Sequence, residues 1–416
     1  MLQFERFLLA NGLRVLVHVD KATPMAAMNI LYDVGARDEE PNRTGFAHLF
    51  EHLMFGGSVN IPEYDEPLQM AGGENNAYTT NDITNYHIQL PLKNLETAFW
   101  LESDRMLSLA FSEKSLDVQR KVVSEEFKEH YLNKPYGDAW HQLRLLAYKN
   151  HPYQWPTIGK DLKQIEEAQL DDVKAFFHKH YCPVNAILCV AGNVTVEQVK
   201  ELSEKWFGNI PAGEKYVRHL PAEPRQESPR AQTLYADVPL DALYKAWHMS
   251  GRLTPPYYAT DLITEIMGSG FSSRLYQRLV KEEQLFSNIN CYHTGSLDPG
   301  LVVVEGKIRE GKTIEAANEA VDKEIAKLVA EGVTDSELQK SKNKIEAMIA
   351  FEDMTLLSRA NNLAFYELMG DAQMINEEWN RYQAVTATYL QQTAKDIFRE
   401  GNCNTLFYKK KSEVVA

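Results

Sequence analysis

Residues 208–230, GNIPAGEKYVRHLPAEPRQESPR, hold four prolines and little apolar periodicity. The succession of strand and helix patterns that leads up to them begins again beyond them. Proline lacks a backbone donor and fixes φ, so such a stretch reads as a connection rather than part of a sheet or helix. It divides a 416-residue chain into two parts of ordinary domain size. The reading is an N-terminal domain at 1–212, a linker at 213–230 and a C-terminal domain at 231–416.

The two parts carry similar patterns. In the first, Phe4 to Leu9 and Leu13 to Val19 flank Asn11-Gly12, a dipeptide that tolerates the positive φ of a tight hairpin turn. A third strand is expected at Ala26 to Val34, then a helix through His48–Phe55 stopped by Gly56-Gly57. Residues 76–91 read as a strand pair, followed by helices at 92–109, 113–132, 137–149 and 170–181, strand Ala186–Ala191 and helix Val196–Phe207. Beyond the linker, strands at 231–237 and 242–249 lead to a helix at 256–267. Strands at 288–293 and 300–308 precede helices at 313–331 and 334–352. Placing HLFEHLMFGG (48–57) over DLITEIMGSG (261–270) matches Leu49 to Leu262, Met54 to Met267 and Gly57 to Gly270. SEKSL (112–116) falls over TDSEL (334–338), each opening a long helix. Two matches in one order indicate a diverged internal repeat.

Bulk properties remove several classes of function. A formal charge of −14 without a basic stripe argues against a nucleic-acid partner. The one basic run, Lys409 to Lys411, reads as a solvated tail. No stretch approaches the ~18 apolar residues that span a bilayer, so no membrane partner is expected. Cys182, Cys189, Cys291 and Cys403 are scattered without a C-x-x-C pair, as for reduced structural thiols. Glu5 and Arg6 interrupt the N-terminal apolar residues, unlike a signal peptide. A cytoplasmic location is the resulting expectation.

The chemistry concentrates in His48-Leu49-Phe50-Glu51-His52. Residues four apart share one face of a helix, so His48 and His52 can present two imidazoles to one ion. Glu51 sits on the flank of that face, where it can act as general base without entering the coordination sphere. Two imidazoles and one carboxylate leave a position open, as in catalytic zinc sites. The missing carboxylate is sought on the helix at 113–132. At about 100° per residue, Leu116, Val123 and Phe127 share a face. Glu126 falls between Val122 and Val123, Glu125 points nearly opposite and Glu129 lies near the boundary. An acidic group on an apolar face is costly unless paired or metal-bound, which favours Glu126. His130 also leans inward and is an alternative ligand.

The segments GFAHLFEHLMFGG, NAYT, VVSEE, NKPYG and HPYQWPTIG, with VAGNV, FGNIPAG and SSRLY further on, resemble the insulinase/pitrilysin family, whose inverted H-x-x-E-H motif they contain. The resemblance runs through the whole chain. It is nearest to half-length members such as mitochondrial processing peptidase subunits and bacterial two-part peptidases. It implies an α+β fold of two homologous α/β-roll domains facing each other, each a mostly antiparallel sheet backed by helices. It further implies a zinc metalloendopeptidase with one zinc per chain, held by His48, His52 and Glu126, with Glu51 as base. Under the repeat alignment the second half offers Asp261, Glu265 and Met348 at the ligand positions, and so no second zinc. The family often has a glutamate seven residues before the third ligand; here that residue is Gln119.

The resemblance also assigns residues 75–80 to the edge strand that binds extended peptide substrates, with Asn76, Ala77 and Tyr78 as substrate-binding candidates. Many members carry an Arg and a Tyr, seven residues apart, that steady the substrate carbonyl. Those positions fall on Val280 and Ser287, with Arg278 and Lys281 nearby but out of register. The leading expectation is therefore a catalytic subunit completed by a homologous, zinc-less partner in a heterodimer. A non-catalytic core subunit of a larger complex and a self-sufficient homodimeric peptidase are the alternatives.

Overall fold

The computed structural model describes residues 1–411. Its first half runs β1 (Glu5–Leu8), β2 (Arg14–Val19), β3 (Met25–Tyr32), α1 (Phe46–Leu53), α2 (Asp65–Met70), β4 (Glu74–Thr79) and β5 (Thr84–Pro91). There follow α3 (Leu95–Leu107), α4 (Glu113–Phe127), α5 (Ala139–Ala147), α6 (Leu162–Glu166), α7 (Leu170–His180), β6 (Ala186–Gly192) and α8 (Val196–Phe207). The second half runs β7 (Arg230–Ala236), β8 (Ala242–His248), α9 (Pro256–Gly268), β9 (Phe286–His293), β10 (Leu301–Ile308) and α10 (Ile314–Glu331). It closes with α11 (Asp335–Glu352), α12 (Leu356–Leu368), α13 (Glu378–Gln383), α14 (Ala387–Ile397) and β11 (Cys403–Lys410). Residues 208–229 form neither helix nor strand.

The repeat glimpsed in two short matches is a repeat of topology. One sheet has the order β1-β2-β6-β3-β5-β4, the other β7-β11-β8-β10-β9. Apart from the extra hairpin strand β1, the second order is the first with β7, β11, β8, β10 and β9 in the places of β2, β6, β3, β5 and β4. The parallel pair also corresponds, β2 with β6 and β7 with β11, and the other neighbours are antiparallel. The fold is mixed α and β, two sheets backed by helices.

Two compact units form, and they cut across the linear division at 212 and 231. One comprises Met1–Phe127, Trp155–Leu220 and Ile349–Glu378; the other comprises Lys128–Gln154, Pro221–Met348 and the described residues from Trp379 onward. The reason is the need of each sheet for an apolar cover. On the first sheet α12, from the second half, packs against β2, β3, β5 and β6. Ala360, Leu363 and Ala364 meet Leu16, Ala27, Leu31, Ile187, Cys189 and Ala191 there. Polar pins fix the register: Asn29 donates to both Asn85 and Asn361 at 2.6 Å, and Arg359 binds Asp20 at 2.7 Å. On the second sheet α5, from the first half, packs against β7, β8 and β11. Its Ala139, Leu143 and Ala147 join Ala242, Ala246, Val303 and Leu406. α5 and α12 hold the same place in the repeat, so the exchange is reciprocal.

Two expectations are corrected here. The helix read through residue 132 is α-helical only to Phe127, and Lys128–Leu132 form a π-helical turn. The wider turn leaves His130 exposed rather than inward. Lys409 and Lys410 are not a solvated tail. They end β11, which pairs with β7, and Lys409 binds Glu315 at 2.6 Å. The four cysteines are unpaired. Among the described residues no helix is long and apolar enough to cross a membrane.

Candidate metal centre

The helix that carries the motif is short, and its faces are sharply divided. α1 buries Phe46, Ala47, Leu49, Phe50 and Leu53 against α4, α7 and β4. His48, Glu51 and His52 are left half-buried on the other side. Gly45 opens the helix at φ +89°, and a Cβ there would lie 2.6 Å from the Ile158 carbonyl oxygen, so only glycine fits. The 3.6-residue period sets the two imidazole rings 4.8 Å apart between centroids.

α4 supplies the third group. Its buried face is Leu116, Val123, Ser124 and Phe127. Glu125 and Glu129 are exposed, while Glu126 is half-buried and turned toward α1. Nε2 of His48 lies 3.7 Å from Glu126 Oε1, and Nε2 of His52 lies 3.4 Å from Oε2. One ligand atom from each residue lies within 4.8 Å of the others. These spacings exceed the usual 2.7–3.2 Å of a nitrogen–oxygen hydrogen bond. They suit donors that share a tetrahedral ion: ligand atoms at ~2.0–2.2 Å from zinc sit roughly 3.3–3.6 Å apart. Burial pushes the His48 imidazole down to about 4, against the opposing pull of Glu126, so it stays neutral as a metal ligand must. Its Nδ1 is buried without a hydrogen bond, leaving Nε2 as the outward-facing donor. The residues present fit zinc.

Glu51 lies beside Thr79 at the end of β4. Burial raises its carboxyl above the ordinary value; Thr79 and His52 oppose the rise, and Glu126 adds to it. A base shifted toward neutrality is suited to taking and returning a proton. β4 is the edge of its sheet. Asn76, Ala77 and Tyr78 lie in its middle, and the Ala77 N–H donates to Asn76 Oδ1 at 2.8 Å.

The repeat-related positions of the second unit are closed. Asp261 accepts from His293 Nε2 at 3.0 Å and from the Tyr382 hydroxyl at 2.6 Å. Glu265 pairs with Lys344 at 2.6 Å, and Met348 is 49% exposed. His293 Nδ1 accepts the Gly295 N–H at 3.0 Å, so both ring nitrogens are engaged. Ser287 is exposed on β9, donating to the Lys307 carbonyl at 3.2 Å. Val280 lies in the π-helical turn Tyr276–Glu282. Arg278 is tied to Glu282 and Glu283 at 2.5 and 2.9 Å.

The sequence profile described as "Insulinase (Peptidase family M16)" matches residues 14–161, and that described as "Peptidase M16 inactive domain" matches residues 167–345. The chain belongs to the insulinase family. The profile named for inactivity falls mainly on the half whose ligand positions are Asp261, Glu265 and Met348. Among insulinase-family relatives, "Zinc protease PqqE" of Helicobacter pylori is 28% identical over 415 residues, 97% of this chain and 92% of that one. "Uncharacterized zinc protease YmxG" of Bacillus subtilis is 24% identical, covering 95% and 96%. The crystal structure of a protease from Helicobacter pylori superposes with a TM-score of 0.92 at 28% identity, over 98% of this chain and all (100%) of that one. Pitrilysin shares the fold, with a TM-score of 0.78 over 98% of this chain and 45% of its own. Relatives of nearly equal length named zinc proteases support a peptidase.

Sequence reasoning missed Glu39 and Arg218. Glu39 accepts the N–H groups that open α1, and Arg218 reaches from the linker to Asp33 and Asp38. No local pattern marks either; a capping box places its acidic residue after the cap, not six residues before it.

Proposed function

We propose that this chain is the zinc-binding subunit of an endopeptidase that cuts extended or unfolded polypeptide. One zinc ion would be held by His48, His52 and Glu126, with Glu51 as general base. The observation carrying this reading is the convergence of two imidazole Nε2 atoms and one carboxylate at 3.4 and 3.7 Å, with Glu51 on the same short helix. Zinc bound there would supply Lewis acidity and lower the pKa of a coordinated water toward ~7. The remaining work falls to the chain's own groups. Glu51 takes the proton of the attacking water and returns it to the leaving amine. Asn76, Ala77 and Tyr78 on the β4 edge align the substrate by backbone pairing, which selects extended segments over folded ones. An incoming strand replaces Asn76 Oδ1 at the Ala77 N–H.

Val280 and Ser287 lack the charge and reach of an Arg/Tyr pair, and Arg278 is occupied by acidic neighbours. A homologous, zinc-less partner carrying that pair completes the site in this reading, so the working form is a heterodimer. Unpaired cysteines support a reducing compartment, the cytoplasm. The test is metal analysis. His48→Ala and Glu126→Gln should lose most of the zinc that the wild-type chain holds in a one-to-one ratio, and near-stoichiometric zinc in both would remove the ligand assignment.

A further inference from the structure

α1 has no cap of its own. Its N-cap residue is Gly45, with no side chain to accept a hydrogen bond, and its first turn contains no acidic residue. Two of the N–H groups at this end go instead to Glu39. Its Oε2 accepts from Gly45, six residues on, at 2.9 Å, and its Oε1 accepts from Ala47, eight residues on, at 2.8 Å. Both carboxylate oxygens are thus spent on the turn that presents His48. Glu39 is only 6% exposed, and its surroundings are fastened in turn. It follows the 3-10 turn Ala36–Asp38, whose Ala36 carbonyl accepts the Trp155 indole N–H at 2.9 Å. Arg37 of the turn pairs with Asp82 at 3.1 Å. Asp38 accepts the Gly35 N–H at 3.0 Å and two N–H groups of Arg218 at 2.6 and 3.1 Å. Arg218 also binds Asp33 at 2.8 Å. This arginine belongs to the proline-rich connection, where neither helix nor strand would otherwise hold it.

We propose that Glu39 is a positioning residue for the metal ligands of α1, and that Arg218 is the latch that keeps Glu39 in place. The proposal rests on the reading of His48, His52 and Glu126 as zinc ligands. An eight-residue helix is too short to hold itself together, and its opening N–H groups must find acceptors outside it. His48 is the third residue of that helix. If the first turn frays, His48 swings while His52, one turn further in and next to buried Leu53, stays. The two imidazoles then no longer converge with Glu126, so preorganisation for the ion is lost. Groups that orient ligands in this way typically alter metal affinity by about 10–100-fold.

The experiment compares full-length wild type with Glu39→Ala, Glu39→Gln, Arg218→Met, His48→Ala and a stability control, Val199→Ala, on the buried face of α8. Zinc affinity is measured by competition with a chromophoric chelator. The absorption spectrum of the cobalt-substituted protein reports ligand geometry. Thermal melting and amide hydrogen exchange of the zinc-free proteins report folding. Glu39→Ala should weaken zinc binding by about 10–100-fold, shift the cobalt bands and speed exchange at Gly45 and Ala47. Glu39→Gln, which keeps one acceptor, should fall between it and wild type, and Arg218→Met should weaken zinc in the same direction. Val199→Ala should lower the melting temperature and leave zinc affinity alone. If Glu39→Ala does not fold, the Gln and Met variants carry the same test. Unchanged zinc affinity and cobalt spectrum in folded Glu39 variants, with zinc lost in His48→Ala, overturns the positioning role alone. So does an equal loss of zinc affinity in Val199→Ala. A wild-type chain that binds no zinc, or a His48→Ala chain that binds it as tightly, overturns the ligand reading and the positioning role together.

Discussion

Leu363 belongs to the second half of the sequence, yet its removal should weaken the unit that holds the candidate metal centre. Its side chain is wholly buried on the face of α12 that covers the first sheet, among Ala27, Leu31, Ala191, Ala360 and Ala364. Half of the other buried residues of this cluster are alanines, and the larger ones, Leu16, Leu31, Ile83 and Ile187, are themselves packed out of solvent, so little can move into the space that Leu363→Ala would open. The cost should therefore lie in the upper part of the ~2–5 kcal/mol range for Leu→Ala, about 4 kcal/mol. At roughly 2–4 °C per kcal/mol for a unit of this size, the melting temperature of the first unit falls by about 10 °C. Calorimetry measures the shift, and amide exchange resolved by segment shows where it acts. Amides of β3, β5 and β6 should lose protection while those of β8, β10 and β11 keep theirs. Leu143→Ala on α5 should give the mirror result. If Leu363→Ala instead softens the second sheet and spares the first, the reciprocal exchange of covering helices is wrong.

Glu51→Gln should keep its zinc and lose about 10²–10⁴-fold in kcat, because the amide has the shape but not the basicity of the carboxylate; wild-type turnover of a fluorogenic peptide would remove Glu51 from the reaction. The isolated chain should cleave peptides weakly, and a homologous chain bearing the Arg/Tyr pair should raise the rate by about 10²–10³-fold or more. Full activity of the chain alone, or no loss when the partner's pair is replaced, would exclude the heterodimeric site. Glu337 closes a capping box with Thr334 at the start of α11 and is gripped by Arg274 at 2.7 and 2.9 Å. The Arg274 hydrogen bonds are the main reason its carboxyl sits at about 2, below the unfolded value of ~4.3. Its contribution is thus complete above about pH 4.3 and is lost as the pH falls toward about 2. With solvent screening it amounts to about 1 kcal/mol, and in acid titrations of stability Glu337→Gln should lack that part of the decline.

Local chemistry made much of this protein legible in its sequence. His48 and His52 are four residues apart, and any helix through them must stack their rings. Glu126 follows from the apolar face of Leu116, Val123 and Phe127, because the helical period leaves it no other direction. Val196–Phe207 could be read to the residue because Thr195 caps it and a strong apolar stripe runs through it. Elements whose partners lie far along the chain stayed dark. No strand or helix is read from the sequence beyond residue 352. α12 is lined with alanines on its buried side, and only the packed sheet reveals why small residues belong there. β11 was obscured by its terminal lysines, whose charges are absorbed by a partner such as Glu315. The pairing of α5 with β8 and α12 with β3 depends on which apolar surfaces meet after collapse, and no window of sequence contains both partners. The same limit applies at the candidate metal centre. Sequence determined which three side chains could converge and which glutamate stood beside them. Tertiary structure alone decided that a carboxylate six residues before the Gly45 cap, next to an aspartate bound by an arginine from the linker, would accept the N–H groups of Gly45 and Ala47 at the open end of their helix. Backbone N–H groups accept any well-placed oxygen, and placement is a property of the fold.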